Sequence, residues 1–197
     1  MSASLARPAS TSSEPRSWRV AVAAAGRSTL YGAALIPLSV GSLIDVATRR
    51  PARATARWSQ LRTRLLRKTP PLAAPSPSLA LRAGHAVLSL LLGLVALIPI
   101  GVELLFVLRG VFYGLVDRGP YDNSWGGPTR AGAWAAHFAV GVPLLVLALV
   151  VLAGLGNLHS RLTGRLEGER LAWWVLPIAV VAAAGGAVLA VAWWHQV

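Results

Sequence analysis

The chain carries its apolar residues in long uninterrupted blocks rather than in alternation with polar residues. A block of about 20 apolar residues is long enough to cross the roughly 30 Å hydrocarbon core of a membrane as an α-helix. Four such blocks are present, at residues 28–47, 84–108, 131–155 and 171–194. The pattern predicts an all-α, polytopic helical membrane protein with about four transmembrane helices, in which residues 28–197 form a single membrane domain.

The first block is the least regular of the four. It is short, and Pro37 interrupts it, so it either spans the membrane or bends back as a re-entrant segment. The preceding residues 1–27 are rich in Ser, Ala and Pro and carry several arginines, which predicts a disordered basic tail. The last block has a Trp-Trp pair at each end. The two pairs lie roughly 30 Å apart along a helix, as in the aromatic belts of membrane interfaces.

Basic residues predict the orientation in the membrane. Residues 48–83 contain nine Arg or Lys side chains and no acid, and such loops stay on the cytoplasmic side. Following the chain outward from this loop, we expect residues 117–130 and the C-terminus to be external. The arginines of the N-terminal tail leave the side of the N-terminus open.

Residues 52–68 of the basic loop sort into two faces at helical spacing. Ala54, Trp58, Leu61 and Leu65 share one stripe, and most of the basic side chains lie opposite. This pattern is typical of an amphipathic helix that lies on the anionic inner leaflet of a membrane. A solvated topological anchor accounts for it equally well. The residues predicted for the membrane-surface helix are Arg53, Arg57, Trp58, Arg62, Arg64, Arg67 and Lys68.

Composition narrows the function classes. Only 13% of the residues are charged, against about a quarter in soluble domains. The net charge of +12 follows from the basic loops, and no nucleic-acid recognition motif accompanies it. The absence of cysteine excludes disulfides and thiolate metal sites. Because no catalytic, phosphate-binding or metal-binding motif is present, we expect neither enzymatic activity nor a cofactor or metal.

Ionisable residues inside apolar blocks are the default functional candidates because they are costly to bury. Glu103 and His137 lie at the same predicted depth, roughly 9 Å below the outer surface on neighbouring antiparallel helices. We hypothesise that they pair, either as a sensing group or as a structural clasp between the helices. Asp45 near the end of the first block lies four residues before Arg49, which predicts an ordinary helical ion pair.

The connection PYDNSWGGP at residues 120–128 is dense in turn-forming residues. We expect Gly127 to cap the third span and Pro128 to occupy its first helical position. Trp125 and Trp134 would then anchor the loop at the membrane interface. The candidate residues of this external loop are Tyr121, Asp122, Ser124, Trp125, Gly126, Gly127 and Pro128.

Residues 113–145 resemble the membrane sensor domain of actinobacterial proteins, which is often fused ahead of histidine kinase modules. The basic segment at residues 61–68 is also similar to that family, and the resemblance extends over about residues 28–166. It is carried mainly by Tyr121, Asp122, Ser124, Trp125, Gly126, Gly127, Pro128, Gly132, Ala133, Trp134 and His137.

The resemblance implies a role in signal perception. No kinase module follows in this sequence, so we expect a non-enzymatic sensor or signalling component that passes its signal to a separate protein, such as a kinase or regulator. Two alternatives stay open. The chain could be a structural or accessory subunit of a larger membrane complex, or a small transporter.

Overall fold

The structure is a computed structural model that describes residues 14–69 and 76–195, with side chains from residue 18 onward except those of residues 190, 193 and 194. Within these ranges every regular element is helical. A π-helical segment, Phe106–Val111, directly continues the third helix. The helices are α1 Glu14–Ala47, α2 Pro51–Leu66, α3 Leu79–Leu105, α4 Tyr113–Val116, α5 Arg130–Leu166 and α6 Val175–Trp194.

Within the described residues, three helical stretches are long and apolar enough to cross a membrane. They are Trp18–Ala47 in α1, Leu79–Val111 in α3 with its π-helical continuation, and Arg130–Leu166, which is the whole of α5. The apolar part of α6, Val175–Leu189, is shorter. The predicted all-helical membrane architecture is therefore confirmed with three helices of spanning length, whereas the prediction of four spans is not.

α1 and α5 are much longer than the apolar blocks that predicted them. α1 begins at Glu14, so residues 14–27 are helical and not a disordered tail, and residues 1–13 lie outside the described part of the chain. The run of alanines before Gly26 favours this extension because alanine has the highest helix propensity. α5 continues beyond the predicted end at residue 155, because Leu158 and Leu162 keep an apolar stripe buried on the same face.

Glycines allow the long helices to approach closely. A Cβ atom on Gly32 of α1 would lie 2.9 Å from Leu152 of α5, and one on Gly93 of α3 would lie 2.8 Å from Ile36 of α1. Gly186 of α6 packs against Val95 of α3 in the same way. Small residues at such crossings are typical of helices that associate in membranes, where van der Waals contact drives packing.

The short helix α2 folds back onto the bundle and packs against α1, α3 and α5. Its Ala54 and Trp58 are buried, and Trp58 belongs to the same core cluster as Leu35 of α1 and Leu162 of α5. We call this end of the bundle the α2 end. The opposite end, which carries residues 117–129 between α4 and α5, is called the loop end.

Candidate functional site

The α2 end contains a buried group of polar and aromatic side chains centred on two histidines. The ring of Trp58 lies 5.2 Å from that of His85 and 4.9 Å from that of His159, measured between centroids. The two imidazole rings lie 5.1 Å apart. The two histidines and the three hydroxyl residues that hydrogen-bond to them are called the histidine cluster. Its members are Tyr31, His85, Ser89, His159 and Thr163.

The hydroxyl groups of the cluster assign the tautomers of both histidines. Ser89 donates its proton to the carbonyl of His85 at 2.6 Å, so its oxygen accepts from Nε2–H of His159 at 2.8 Å. Thr163 donates to the carbonyl of His159 at 3.1 Å and accepts from Nε2–H of His85 at 3.2 Å. Nδ1 of His159 then accepts from the hydroxyl of Tyr31 at 2.8 Å. In this assignment the His159 ring is a neutral imidazole, and Nδ1 of His85 lies 3.2 Å from the Ser89 hydroxyl.

The cluster joins three long helices through one continuous set of hydrogen bonds. Tyr31 belongs to α1, Ser89 to α3 and His159 to α5, and all three are at most 1% exposed. Buried polar groups carry a large desolvation cost unless their partners are all present. The relative rotation of α1, α3 and α5 is thus constrained at this level of the bundle.

Arg62 connects α2 to the end of α5 next to this cluster. Its guanidinium forms an ion pair with Glu167, and both side chains are buried, at 6% and 3% exposure. Nε of Arg62 donates to the hydroxyl of Ser160 at 3.2 Å, and Nη2 donates to Glu169 at 3.0 Å. Ser59 donates to the second oxygen of Glu167 at 2.7 Å. A buried ion pair is tolerated only with such additional hydrogen bonds, so these contacts act together as a latch on α2.

The structure corrects the predicted surroundings of the apolar stripe of α2. Its apolar stripe faces the protein core, and Trp58 and Arg62 are buried there. Arg53, Arg64 and Arg67 are not buried, as predicted for the opposite face. Lys68 follows the helix, and burial, together with the positive charges of Arg62 and Arg161, lowers its pKa.

Asp45 pairs with α2 and not with its predicted partner. Nε of Arg57 donates to the carboxylate of Asp45 at 2.7 Å. The predicted pair with Arg49 is wrong because α1 ends at Ala47, and Arg49 adopts a left-handed backbone with a φ of 57°. The helical i, i+4 geometry is lost at that point.

The structure gives Glu103 and His137 different partners. Glu103 accepts from the hydroxyl of Thr29 on α1, at 2.9 and 3.1 Å. Nδ1 of His137 bonds the carbonyl of Ala133 at 2.8 Å, and its ring packs on Tyr113 with centroids 4.5 Å apart. Neither a hydrogen bond nor an ion pair joins Glu103 to His137 in the described residues, so the predicted pair is wrong. Equal depth was not sufficient, because α1 provides a nearer donor for Glu103.

The loop itself is held by local contacts. The hydroxyl of Tyr121 donates to the carbonyl of Asp117 at 2.9 Å, and the Asp117 carboxylate accepts from the amide of Gly119 at 3.0 Å. The amide of Ser124 donates to the carbonyl of Tyr121 at 2.9 Å. Gly126 lies so close to the backbone of Gly132 that no side chain would fit there. Asp122, Trp125 and Pro128 are exposed.

The N-cap of α5 lies two residues later than the predicted Gly127. Thr129 is its N-cap, and the Thr129 hydroxyl accepts from the amide of Gly132 at 3.1 Å. Gly127 and Pro128 therefore precede the cap, and Gly127 instead allows the turn through its φ of 86°. Thr129 is the better N-cap because its side chain accepts a hydrogen bond from a free helix amide, which glycine and proline side chains cannot do.

Two residues of the first turns of α5 reach back to the π-helical segment and to α4. The indole nitrogen of Trp134 donates to the carbonyl of Gly110 in the π-helical segment. The guanidinium of Arg130 donates to the carbonyl of Gly114 at 2.8 Å. π-Helical turns leave carbonyl groups without their usual helical partners, and they are frequent at functional sites. The start of α5 is thus coupled to this irregular segment.

The histidine cluster was not predicted from the sequence, although His85 and His159 are in contact. A usable signal was present, because each histidine is followed by a hydroxyl residue four positions later, Ser89 and Thr163. That spacing places both groups on one helix face. No group of three or more His, Cys, Asp or Glu side chains suited to a metal ion occurs among the residues that the structure describes.

Comparisons with known proteins found no matching family profile, no matching curated protein and no matching solved structure.

Proposed function

We propose that this protein is a non-enzymatic membrane signalling component in which the loop end receives a signal and α2 passes it to a separate protein. The observation that supports this proposal is the course of α5. One uninterrupted helix of 37 residues starts beside the loop and ends at the latch on α2. A helix of that length extends over roughly 55 Å.

α5 carries groups that belong to both ends. Trp134 in its first turns bonds the π-helical segment at the loop end. Ser160 near its other end and Glu167 at its C-cap hold Arg62 of α2. A shift or rotation of α5 at the loop end would move these latch residues together, because a helix transmits displacement along its axis more readily than a loop does. Pro143 lies inside α5 and is a site where such a helix bends.

The charge distribution supports a cytoplasmic α2 end and an external loop end. The segment at residues 48–83 holds nine basic residues without an acid, and basic loops stay on the cytoplasmic side. A released α2 would expose its apolar stripe with Trp58 next to the anionic inner leaflet. It would then be available to the membrane surface or to a partner such as a kinase or regulator. The resemblance of residues 113–145 to a family of membrane sensor domains is consistent with signal reception at the loop end.

The proposal can be tested by measuring the exposure of α2 in nanodiscs. The chain contains no cysteine, so a single introduced thiol reports without background. Ala54→Cys places a small thiol at a position that is 2% exposed on the packed face of α2. Ala56→Cys on the exposed face of the same helix is the matched control. Glu167→Gln breaks the latch directly and serves as the positive control.

We expect maleimide labelling of the Ala54→Cys thiol to rise several-fold when Trp134→Phe removes the hydrogen bond to Gly110. Labelling of the Ala56→Cys control should stay fast in every background. Trp173→Phe changes an exposed tryptophan outside the loop end and should leave labelling at position 54 unchanged. If Glu167→Gln exposes the thiol at position 54 but changes at the loop end never do, the two ends are not coupled and the signalling proposal fails.

A further inference from the structure

A long groove lies between α5 and α6. α6 packs more extensively on α3, where Gly186 meets Val95, than on α5. The groove has a volume of about 570 Å³. Its walls are mainly apolar, and its polar side chains are Asn157 and Arg161. The apolar walls include Val151, Leu155, Leu158, Ile178 and Ala182.

The polar end of the groove is built around a cation. The guanidinium of Arg161 lies over the ring of Trp174, 5.2 Å from its centroid. Trp174 is packed against the core cluster, so it offers a fixed surface for the guanidinium. Arg161 forms no ion pair with any carboxylate in the described residues. The Trp174 ring therefore holds the Arg161 guanidinium in place, and no described carboxylate neutralises its positive charge.

The dimensions of the groove match one membrane leaflet. Val151 and Arg161 are the outermost α5 residues that line it, and they lie roughly 15 Å apart along the helix axis. Half of a hydrocarbon core is also about 15 Å. Gly154 forms part of the groove, and a Cβ atom at that position would meet nothing within 4 Å. The groove is thus open at Gly154, and Arg161 lies at one end of it.

We propose that this groove binds one anionic glycerophospholipid. An acyl chain lies along the apolar walls, and the phosphate accepts hydrogen bonds from Arg161. The positive charge of Arg161 favours a headgroup with net negative charge over a zwitterionic headgroup, whose ammonium group it repels.

The test uses the full chain purified in detergent, with native mass spectrometry to count the retained lipid. Dioleoyl phosphatidylglycerol and dioleoyl phosphatidylcholine are added in separate arms, and glycerol phosphate is added in a third. We expect one phosphatidylglycerol to be retained per chain, with at least tenfold weaker retention of phosphatidylcholine. Glycerol phosphate alone should not be retained, because it lacks the acyl chains that fill the groove.

Three substitutions act on the two halves of the site. Arg161→Gln removes the charged hydrogen-bond donor and should weaken retention of phosphatidylglycerol by about tenfold. Arg161→Lys keeps a positive charge and should restore the preference for phosphatidylglycerol. Gly154→Leu fills the groove and should abolish retention of either lipid.

Matched controls lie outside the groove. Arg165→Gln removes a basic side chain of the same helix that does not line it, and Gly185→Leu fills open space on α6. Both should retain phosphatidylglycerol as the unmodified chain does. Equal retention of the two lipids, unchanged retention in Arg161→Gln and Gly154→Leu, or retention of glycerol phosphate alone would each overturn the proposal. These outcomes do not depend on whether α2 carries a signal.

Discussion

The two ends of the bundle hold their polar side chains in different ways. At the α2 end, Tyr31, Ser89 and His159 are buried and bond one another across three helices. At the loop end, the hydrogen bonds of the loop mostly join residues close in sequence, and Trp125 is 87% exposed. Long-range buried bonds fix helix positions, whereas local exposed bonds fix only the path of the chain.

This difference separates a rigid region from an adaptable one. When one group of a buried hydrogen bond is removed, the remaining group can bond neither protein nor water. The free-energy cost of burying that unpaired group is large. An exposed group recovers its bond from water at little cost. The α2 end is therefore expected to dominate stability, and the loop end has more freedom to change shape when a signal binds. Three substitutions and one double-mutant cycle test this comparison, from the largest expected effect to the smallest.

Glu167→Ala should have the largest effect. It leaves the guanidinium of Arg62 buried without its main counter-charge, which costs about 3–5 kcal/mol in comparable buried pairs. Chemical unfolding in detergent measures the loss. Glu169 is the matched control, because its side chain is 41% exposed and Glu169→Ala should cost about 1 kcal/mol or less. Equal losses for the two variants would show that burial of the latch is unimportant.

Ser89→Ala should destabilise the chain by about 1–3 kcal/mol. The substitution removes the acceptor of the Nε2–H of His159 and leaves that buried donor without a partner. The control is Ser28→Ala, since Ser28 is only partly buried and bonds the carbonyl of Ala24 within its own helix. That change should stay within about 0.5 kcal/mol. A loss for Ser89→Ala as small as that of the control would contradict the assigned tautomers.

Trp134→Phe tests the contact between α5 and the π-helical segment. Loss of the indole donor to the Gly110 carbonyl should cost about 1 kcal/mol. Trp125→Phe changes a tryptophan of the same loop end that is 87% exposed, and it should be nearly neutral. Thermal unfolding of both variants in the same detergent gives the comparison. A larger loss for Trp125→Phe would place the main contact of the loop end elsewhere.

The smallest effect is the coupling between Glu103 and Thr29. A double-mutant cycle with Glu103→Gln and Thr29→Val should give about 0.6 kcal/mol, the average for hydrogen bonds between membrane helices. A second cycle pairs Glu103→Gln with His137→Ala, and we expect simple additivity there. Coupling in the second cycle and none in the first would restore the pair that the sequence predicted.

Helix locations were largely predictable because they depend on local pattern. The apolar blocks place α3 and α5, and the stripe of Ala54, Trp58, Leu61 and Leu65 places α2. Where α2 packs was not predictable. An apolar stripe gains the same free energy from a lipid surface as from a protein core, since the hydrophobic effect has no direction.

The polar contacts were harder to predict for a related reason. Glu103, His137 and Thr29 are all polar groups within apolar stretches, and the sequence indicates roughly how deep each lies. It does not indicate how each helix is rotated about its axis. That rotation directs Thr29 towards Glu103 and leaves His137 against Tyr113.

Composition and periodicity by themselves determined that the chain is helical, rich in membrane-length segments and strongly basic between α1 and α3. These properties follow from residues acting over one or two helical turns. Only the tertiary structure decided that α2 is latched by Arg62, that two histidines meet beneath it, and that a groove opens beside Arg161. Each of these depends on side chains brought together by helix rotation and crossing, which close packing at Gly32, Gly93 and Gly186 sets.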